Sequence, residues 1–338
     1  MSVSYPLAVG IIVAATAAIW KGSDWLEGAS EQLSTYYGLP MVVQGAIVTA
    51  VGSSFPELAS VVFAGLAGSL ELGVGAIVGS AIFNILVIPG VAGVATEEPV
   101  ESSRTLVYKE AQFYMLAVSV LLITFALGVI YYPVAGERLM GDVTRPLALI
   151  PLGMYGLYIF IQYQDTSDHE ADEDTDGIDV RRQWAFLLAG LLVILVAVEQ
   201  LVHQVEAIGI ELGISQFLLG VTIIAGATSL PDTLVSVRAA RDNRGVASMA
   251  NVLGSNTFDL LVAIPVGIML VGSTAIDFEM AVPMFAALTA ATILLFTVLR
   301  TDMTLTRTES YALVLAYAVF VGWILAEVSG VVGGILPT

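Results

Sequence analysis

Apolar runs of about twenty residues, each closed by a short polar stretch, follow one another along most of the chain. A helix of about 20 apolar residues spans a bilayer core, so the pattern predicts ten spanning helices. They fall at about 4–22, 40–66, 72–95, 108–130, 144–163, 184–204, 216–240, 247–271, 279–299 and 310–330. The first run, YPLAVGIIVAATAAIW, has no basic region ahead of it, so it is expected to stay as a span rather than leave as a signal. Between the fifth and sixth runs lies QDTSDHEADEDTDGIDVRR, too polar to build a core. It divides the chain into residues 1–163, an acidic linker 164–183, and residues 184–338.

The polar interruptions inside the apolar runs repeat. GSSFPEL begins at Gly52 and GATSLPDT at Gly226; Pro231 follows Pro56 by 175 residues, Asp232 follows Glu57 by 175, and Ser229 follows Ser54 by 175. GSAIFN (79–84) and GSNTFD (254–259) keep the same offset, as do Asp24 with Glu199 and Gly38 with Gly213. Five helices per repeat is an odd number, so the second half enters the membrane from the opposite side. The expected fold is an all-α polytopic membrane protein, ten helices in two inverted five-helix repeats, an arrangement common among secondary transporters.

Charge orients the array. With both termini outside, the inner ends hold Lys21, Arg104, Lys109, Arg181, Arg182, Arg238, Arg241, Arg244, Arg300 and Arg307, and the outer ends only Arg138 and Arg145. Ten against two fits the positive-inside rule and puts the acidic linker in the cytoplasm of a cell-membrane protein. Tyr131, Tyr132, Tyr163 and Trp184 fall at helix ends, where interfacial aromatics belong.

Chemistry sits at the interruptions. A proline frees the carbonyl four residues before it, so Pro56 releases that of Gly52 and Pro231 that of Ala227. In hydrocarbon a free carbonyl is tolerated where it lines a cavity or meets a cation. Ser53, Ser54, Thr228 and Ser229 add hydroxyls beside the breaks, and Glu57 and Asp232 add carboxylates. Ser80 and Asn84 share one face of their helix at i, i+4, as do Ser255 and Asp259. If the repeat gathers these helices at the midplane, the result is a site of oxygens alone, which suits hard cations such as Ca²⁺ or Na⁺ rather than soft metals. An intramembrane carboxylate costs roughly 2.5–3.5 kcal/mol, so three cost on the order of 8–10 by simple addition. One divalent ion, several monovalent ions or protons would neutralise them, and that competition is a basis for exchange.

These paired motifs resemble the two alpha-repeat signatures of the calcium/cation antiporter superfamily, specifically prokaryotic sodium/calcium exchangers. The resemblance covers nearly the whole chain. It implies Ca²⁺ between Glu57 and Asp232, Na⁺ at that and flanking sites involving Ser54, Ser80, Ser229 and Ser255 with Asn84 and Asp259 alongside, and helices one and six sliding across the other eight. Ser53 stands where threonine is common, Ala81 where asparagine is, Ala227 where glycine is, and Asp232 where many relatives have glutamate. The expected function is antiport of Na⁺ for Ca²⁺. The alternative keeps the fold and changes the ions: H⁺/Ca²⁺ exchange, K⁺-dependent Na⁺/Ca²⁺ exchange, or another divalent cation.

Composition narrows the rest. Only 12% of residues are charged and there is no cysteine, which excludes disulfides and thiolate sites. A net charge of −18 does not favour nucleic acid and suits a salt-rich host. No cofactor, obligatory protein partner or enzymatic activity is expected: the chain lacks YD, GxGD and HExxH signatures of intramembrane proteases. A channel is disfavoured by the inverted repeat. DEDTDG (172–177) matches the first half of a calcium-binding EF-hand loop, but its twelfth position is Gln183 rather than glutamate, so a solvated linker is the expectation. Asp24 and Glu199 are expected near helix ends, solvated or in ion pairs, and Gly75 and Gly79 as a close-packing GxxxG.

Overall fold

The structure, a computed structural model, describes residues 5–38, 50–104, 106–166, 177–329 and 331. The first half contains α1 (Tyr5–Tyr36), α2 (Ala50–Ser53), α3 (Phe55–Ala67), α4 (Leu70–Ala95), β1 (Val100–Glu101), α5 (Leu106–Tyr131), β2 (Met140–Thr144) and α6 (Arg145–Thr166). The second contains α7 (Val180–Leu212), α8 (Gln216–Thr228), α9 (Leu230–Arg241), α10 (Gly245–Val271), β3 (Ser273–Asp277), α11 (Phe278–Arg300), β4 (Thr304–Leu305) and α12 (Arg307–Val328). Eight of these are long and apolar enough to cross a membrane; α8 and α9 form a ninth, bent by 45° at its break. The expected second span, 40–66, is represented by α2 and α3, its earlier part lying outside the described residues. The acidic stretch 167–176, with most of DEDTDG, also lies outside them.

The repeat reaches further than the motifs. α1 and α7 begin 175 residues apart, as do α3 and α9, and α4 and α10. The backbone follows: Gly38 (φ 62°) and Gly213 (φ 66°) both take the left-handed conformation, and Gly68 (φ 86°) is answered by Asn243 (φ 57°). Glycine and asparagine are the residues that stop a helix this way at least cost.

Two small antiparallel sheets tie the halves together. β1 pairs with β4, and β2 with β3, so each sheet takes one strand from each repeat. β1 and β2 flank the single span α5, which puts the sheets at opposite ends of the bundle. β2 and β3 share a sheet, and this requires an even number of crossings between them. The crossings are α6, α7, the bent α8–α9 pair and α10; the bent pair therefore counts as one span.

α4 and α10 form the centre. In each, 83% of the most apolar stretch is buried, against 17–39% for the other long helices. α4 is apolar all round, as a helix surrounded by protein should be. Gly75 and Gly79 bring its backbone against α8: a β-carbon at either would collide with the carbonyls of Phe217 and Val221. The close packing expected of this GxxxG is what forms.

α1 and α7 have 32 and 33 residues, about 48 Å each at 1.5 Å per residue, well beyond the expected 4–22 and 184–204. They lie antiparallel, with Gly22 against Gly190 and Trp25 against Phe186. Asp24 and Glu199 thus sit within their helices rather than near the ends. The reason is packing: beyond Lys21 the sequence turns polar, but Leu26, Ala29, Ser30 and Leu33 still present a buried stripe, which holds the helix on. Asp24 pairs with Lys21 at 2.8 Å and faces Arg238 at 3.7 Å. Glu199 is exposed.

Candidate cation site

The two breaks have the same shape. Ser54 (φ −90°, ψ 8°) and Ser229 (φ −81°, ψ −2°) each stand at the junction of two helical pieces, in the sparsely populated bridge region. Pro56 and Pro231 follow two residues later, inside the first turns of α3 and α9, where a missing N–H is best tolerated. Glu57 and Asp232 lie in those same first turns and project from helix N-termini, which favour negative charge.

Packing then brings the four motif segments into one buried polar core. Glu57, Asp232, Asp259, Asn84, Ser53, Ser54, Ser80, Thr228, Ser229 and Ser255 are all at most 1% exposed. The contacts cross between repeats. Ser53 and Ser255 hydroxyls are 3.0 Å apart, and those of Ser80 and Ser229 2.7 Å. Ser54 Oγ donates to the Ser255 carbonyl at 3.5 Å, Ser80 Oγ to Glu57 Oε1 at 3.4 Å, and Asn84 Nδ2 to Asp232 Oδ2 at 3.3 Å. The hydroxyls of Ser53 and Ser255 face Asp232, and that of Ser54 faces Asp259. Thr228 Oγ1 donates along its own helix to the Ile224 carbonyl at 3.1 Å. Gly52 and Ala227, whose carbonyls the prolines release, are buried one turn before the carboxylates.

Five side-chain oxygens in this core take no hydrogen bond from any described residue: Glu57 Oε2, Asp232 Oδ1, Asn84 Oδ1 and both carboxylate oxygens of Asp259. Leaving a buried acceptor unpaired costs about 1–3 kcal/mol, more when it is charged. Among the described residues no three His, Cys, Asp or Glu side chains close into a ready-made metal cluster. The donor set is instead mixed, carboxylate oxygens interleaved with hydroxyls and an amide. It suits a hard cation.

The sequence reading missed two members. Asn256 and Tyr114 are fully buried beside the site, and Asn84 Nδ2 donates to Asn256 Oδ1 at 2.9 Å. Asn256 lies inside GSNTFD, so a signal existed; its counterpart in the other repeat is Ala81, and the duplication therefore did not mark it. Tyr114 lies in an apolar run where nothing sets it apart.

A cavity of about 750 Å³ lies at the end of the bundle that carries Arg238 and Arg244. Glu27, Glu31 and Asp24 of α1 line it, with Glu110, Tyr158 and Gln162 and with Asn251 and Gly254 of α10, the latter preceding Ser255 in the chain.

Comparison with known proteins gives consistent results. The profile of the family described as sodium/calcium exchanger protein matches residues 7–164 and 182–326. An uncharacterized membrane protein, MJ0091, of Methanocaldococcus jannaschii is 28% identical over 277 residues, 82% of this chain and 86% of that one. The sodium/calcium exchanger MaX1 of Methanosarcina acetivorans is 23% identical over 266 residues, 70% and 75% of the two chains. A solved structure of the sodium-calcium exchanger NCX_Mj superposes with a TM-score of 0.63 at 23% identity, covering 94% of this chain and 98% of that one; at that identity it shows the shared fold.

Proposed function

The chain belongs to the sodium/calcium exchanger protein family, and from that premise we propose that it exchanges Na⁺ for Ca²⁺ across the cell membrane by alternating access at the core built from Glu57, Asp232, Asp259 and Asn84. The observation that carries this reading is the set of five buried, unpartnered oxygens supplied by both repeats at one place. Ca²⁺ takes six to eight oxygens; the carboxylates, the Asn84 carbonyl, the surrounding hydroxyls and the carbonyls of Gly52 and Ala227 are the donors within reach of such a shell. Na⁺ asks for similar ligands at half the charge, so several Na⁺ satisfy the same anions in place of one Ca²⁺. Ser54, Ser80, Ser229 and Ser255, with Asn84 and Asp259, are the flanking ligands for Na⁺; Ser53 and Thr228 add hydroxyls beside Asp232 and Glu57.

Movement follows from the packing. α1 and α7 pack on each other along most of their length and lean on the motif segments α2, α3 and α8. Sliding this pair would open one side of the site and close the other. The cavity beside Arg238 and Arg244 is the access route on one side, and by the distribution of basic residues that side is the cytoplasm. The termini then lie outside and the acidic linker inside. Where the exchanged charges are unequal, the membrane potential also drives the cycle, by about 2.3 kcal/mol per net charge per 100 mV.

Reconstitution in liposomes tests this directly, with ⁴⁵Ca²⁺ uptake measured against imposed Na⁺, K⁺ and H⁺ gradients. Uptake driven by an outward Na⁺ gradient is the expected result. Uptake that follows a pH gradient without Na⁺ would replace Na⁺ by protons, and a requirement for K⁺ beside Na⁺ would place the chain in the potassium-dependent branch.

A further inference from the structure

We infer that Asn256 is a positioning residue that sets which end of the Asn84 amide faces the transported cation. The inference rests on the reading of Asn84 as a ligand and adds what makes it one.

An asparagine side chain is nearly symmetric in shape but not in chemistry: one end accepts and the other donates. To serve a cation, Asn84 must offer Oδ1 and turn its NH₂ away. No direct contact within its own helix enforces that choice: the Ser80 hydroxyl, 3.4 Å from Nδ2, can donate as well as accept. The chain of hydrogen bonds beyond it does. The Ala81 main-chain carbonyl can only accept, and Asn256 Nδ2 donates to it at 3.1 Å. The same NH₂ donates to the Tyr114 hydroxyl at 3.3 Å. With Nδ2 committed there, Asn256 Oδ1 faces Asn84 and must accept, which it does from Nδ2 at 2.9 Å. That NH₂ also reaches Asp232 Oδ2 at 3.3 Å, a second group that accepts when ionised. Asn84 Oδ1 is then the end left over, buried and without a partner among the described residues. Turning the Asn84 amide over would put oxygen against oxygen at both Asn256 and Asp232. The polarity of a fixed backbone carbonyl is passed through two amides to the ion.

Only one repeat has this device. Asn256 corresponds to Ala81 by the 175-residue offset, and Asp259, the counterpart of Asn84, has two equivalent oxygens and no wrong end to present. A residue is needed on one side and not on the other, and that is where it occurs.

The test uses full-length protein in liposomes, with Ca²⁺ as the probe. Asn256→Ala and the volume-preserving Asn256→Leu should each raise the apparent KM for Ca²⁺ about tenfold and change maximal rate less than twofold. In an Asn84→Ala background, adding Asn256→Ala should change KM less than twofold, because the amide it orients is gone. A full tenfold effect in that background would show a scaffold role and overturn the inference, as would unchanged KM in both single variants or loss of folded protein in both. An Asn84→Ala variant with normal KM would instead overturn the ligand assignment from which the inference starts.

Discussion

Across the pseudo-twofold, Asn84 and Asp259 hold equivalent places beside a carboxylate of the opposite repeat, and they do opposite things there. Asn84 donates to Asp232 at 3.3 Å and leaves its own carbonyl free. Asp259 has no proton to donate when ionised; the Ser54 hydroxyl faces it, and the charges of Glu57 and Asp232 that act on it are of the same sign. Both Asp259 oxygens and Glu57 Oε2, like Asp232 Oδ1, have no hydrogen-bond donor within range among the described residues. One side of the core thus gains a hydrogen bond between the repeats, while on the other side two carboxylates of like charge face each other. At this pair of positions the duplicated architecture carries an amide in one copy and a carboxylate in the other, which gives the core a neutral flank and an anionic flank.

The hardest way to break this comparison is to remove the charges both flanks share. Glu57→Gln and Asp232→Asn are expected to reduce Ca²⁺ flux at least 100-fold while leaving a folded protein, read by ⁴⁵Ca²⁺ uptake beside a thermal melt. Normal exchange in either variant would displace the centre of the site. Asp259→Asn makes the flanks alike and sharpens the contrast. The new amide can donate to Glu57 as Asn84 does to Asp232. Measured without Na⁺ or Ca²⁺, the variant should gain about 1–3 kcal/mol of stability, the cost of a buried unpaired acceptor, while Ca²⁺ uptake falls about tenfold. Lower stability in that variant would mean the anionic flank is already satisfied by the fold.

Smaller effects separate the halves by packing. Gly79→Ala places a methyl group against the Val221 backbone and should cost about 1–3 kcal/mol, as overpacking does. Gly254→Ala, its counterpart, meets nothing within 4 Å among the described residues and should stay within about 0.5 kcal/mol; melting the two variants side by side checks the difference. Least of all, Lys21→Ala removes an exposed pair with Asp24. It should move stability by under about 0.5 kcal/mol, and a larger shift would give that pair a role in holding α1 against α9.

Much of this was legible before any coordinates. Spanning length, the position of each proline and the 175-residue offset are properties of the string, and they follow from what a bilayer and a broken helix demand of local sequence. So the membrane class, the inverted repeat and the ten oxygen-bearing side chains of the core could be named from residues alone. What lay beyond reach was set by neighbours far away in the chain. The last turns of α1 continue past Lys21 because a partner covers Leu26 and Leu33, not because the residues there are apolar enough to be in lipid. Tyr114 is silent in the sequence because a tyrosine in an apolar run takes its meaning from the amide it touches, 142 residues on. The sequence determined which polar groups interrupt the apolar runs. Only the tertiary structure decided which of them satisfy one another and which have no partner among the described residues, since a hydrogen bond is made by distance and direction, and neither is written in the order of the residues.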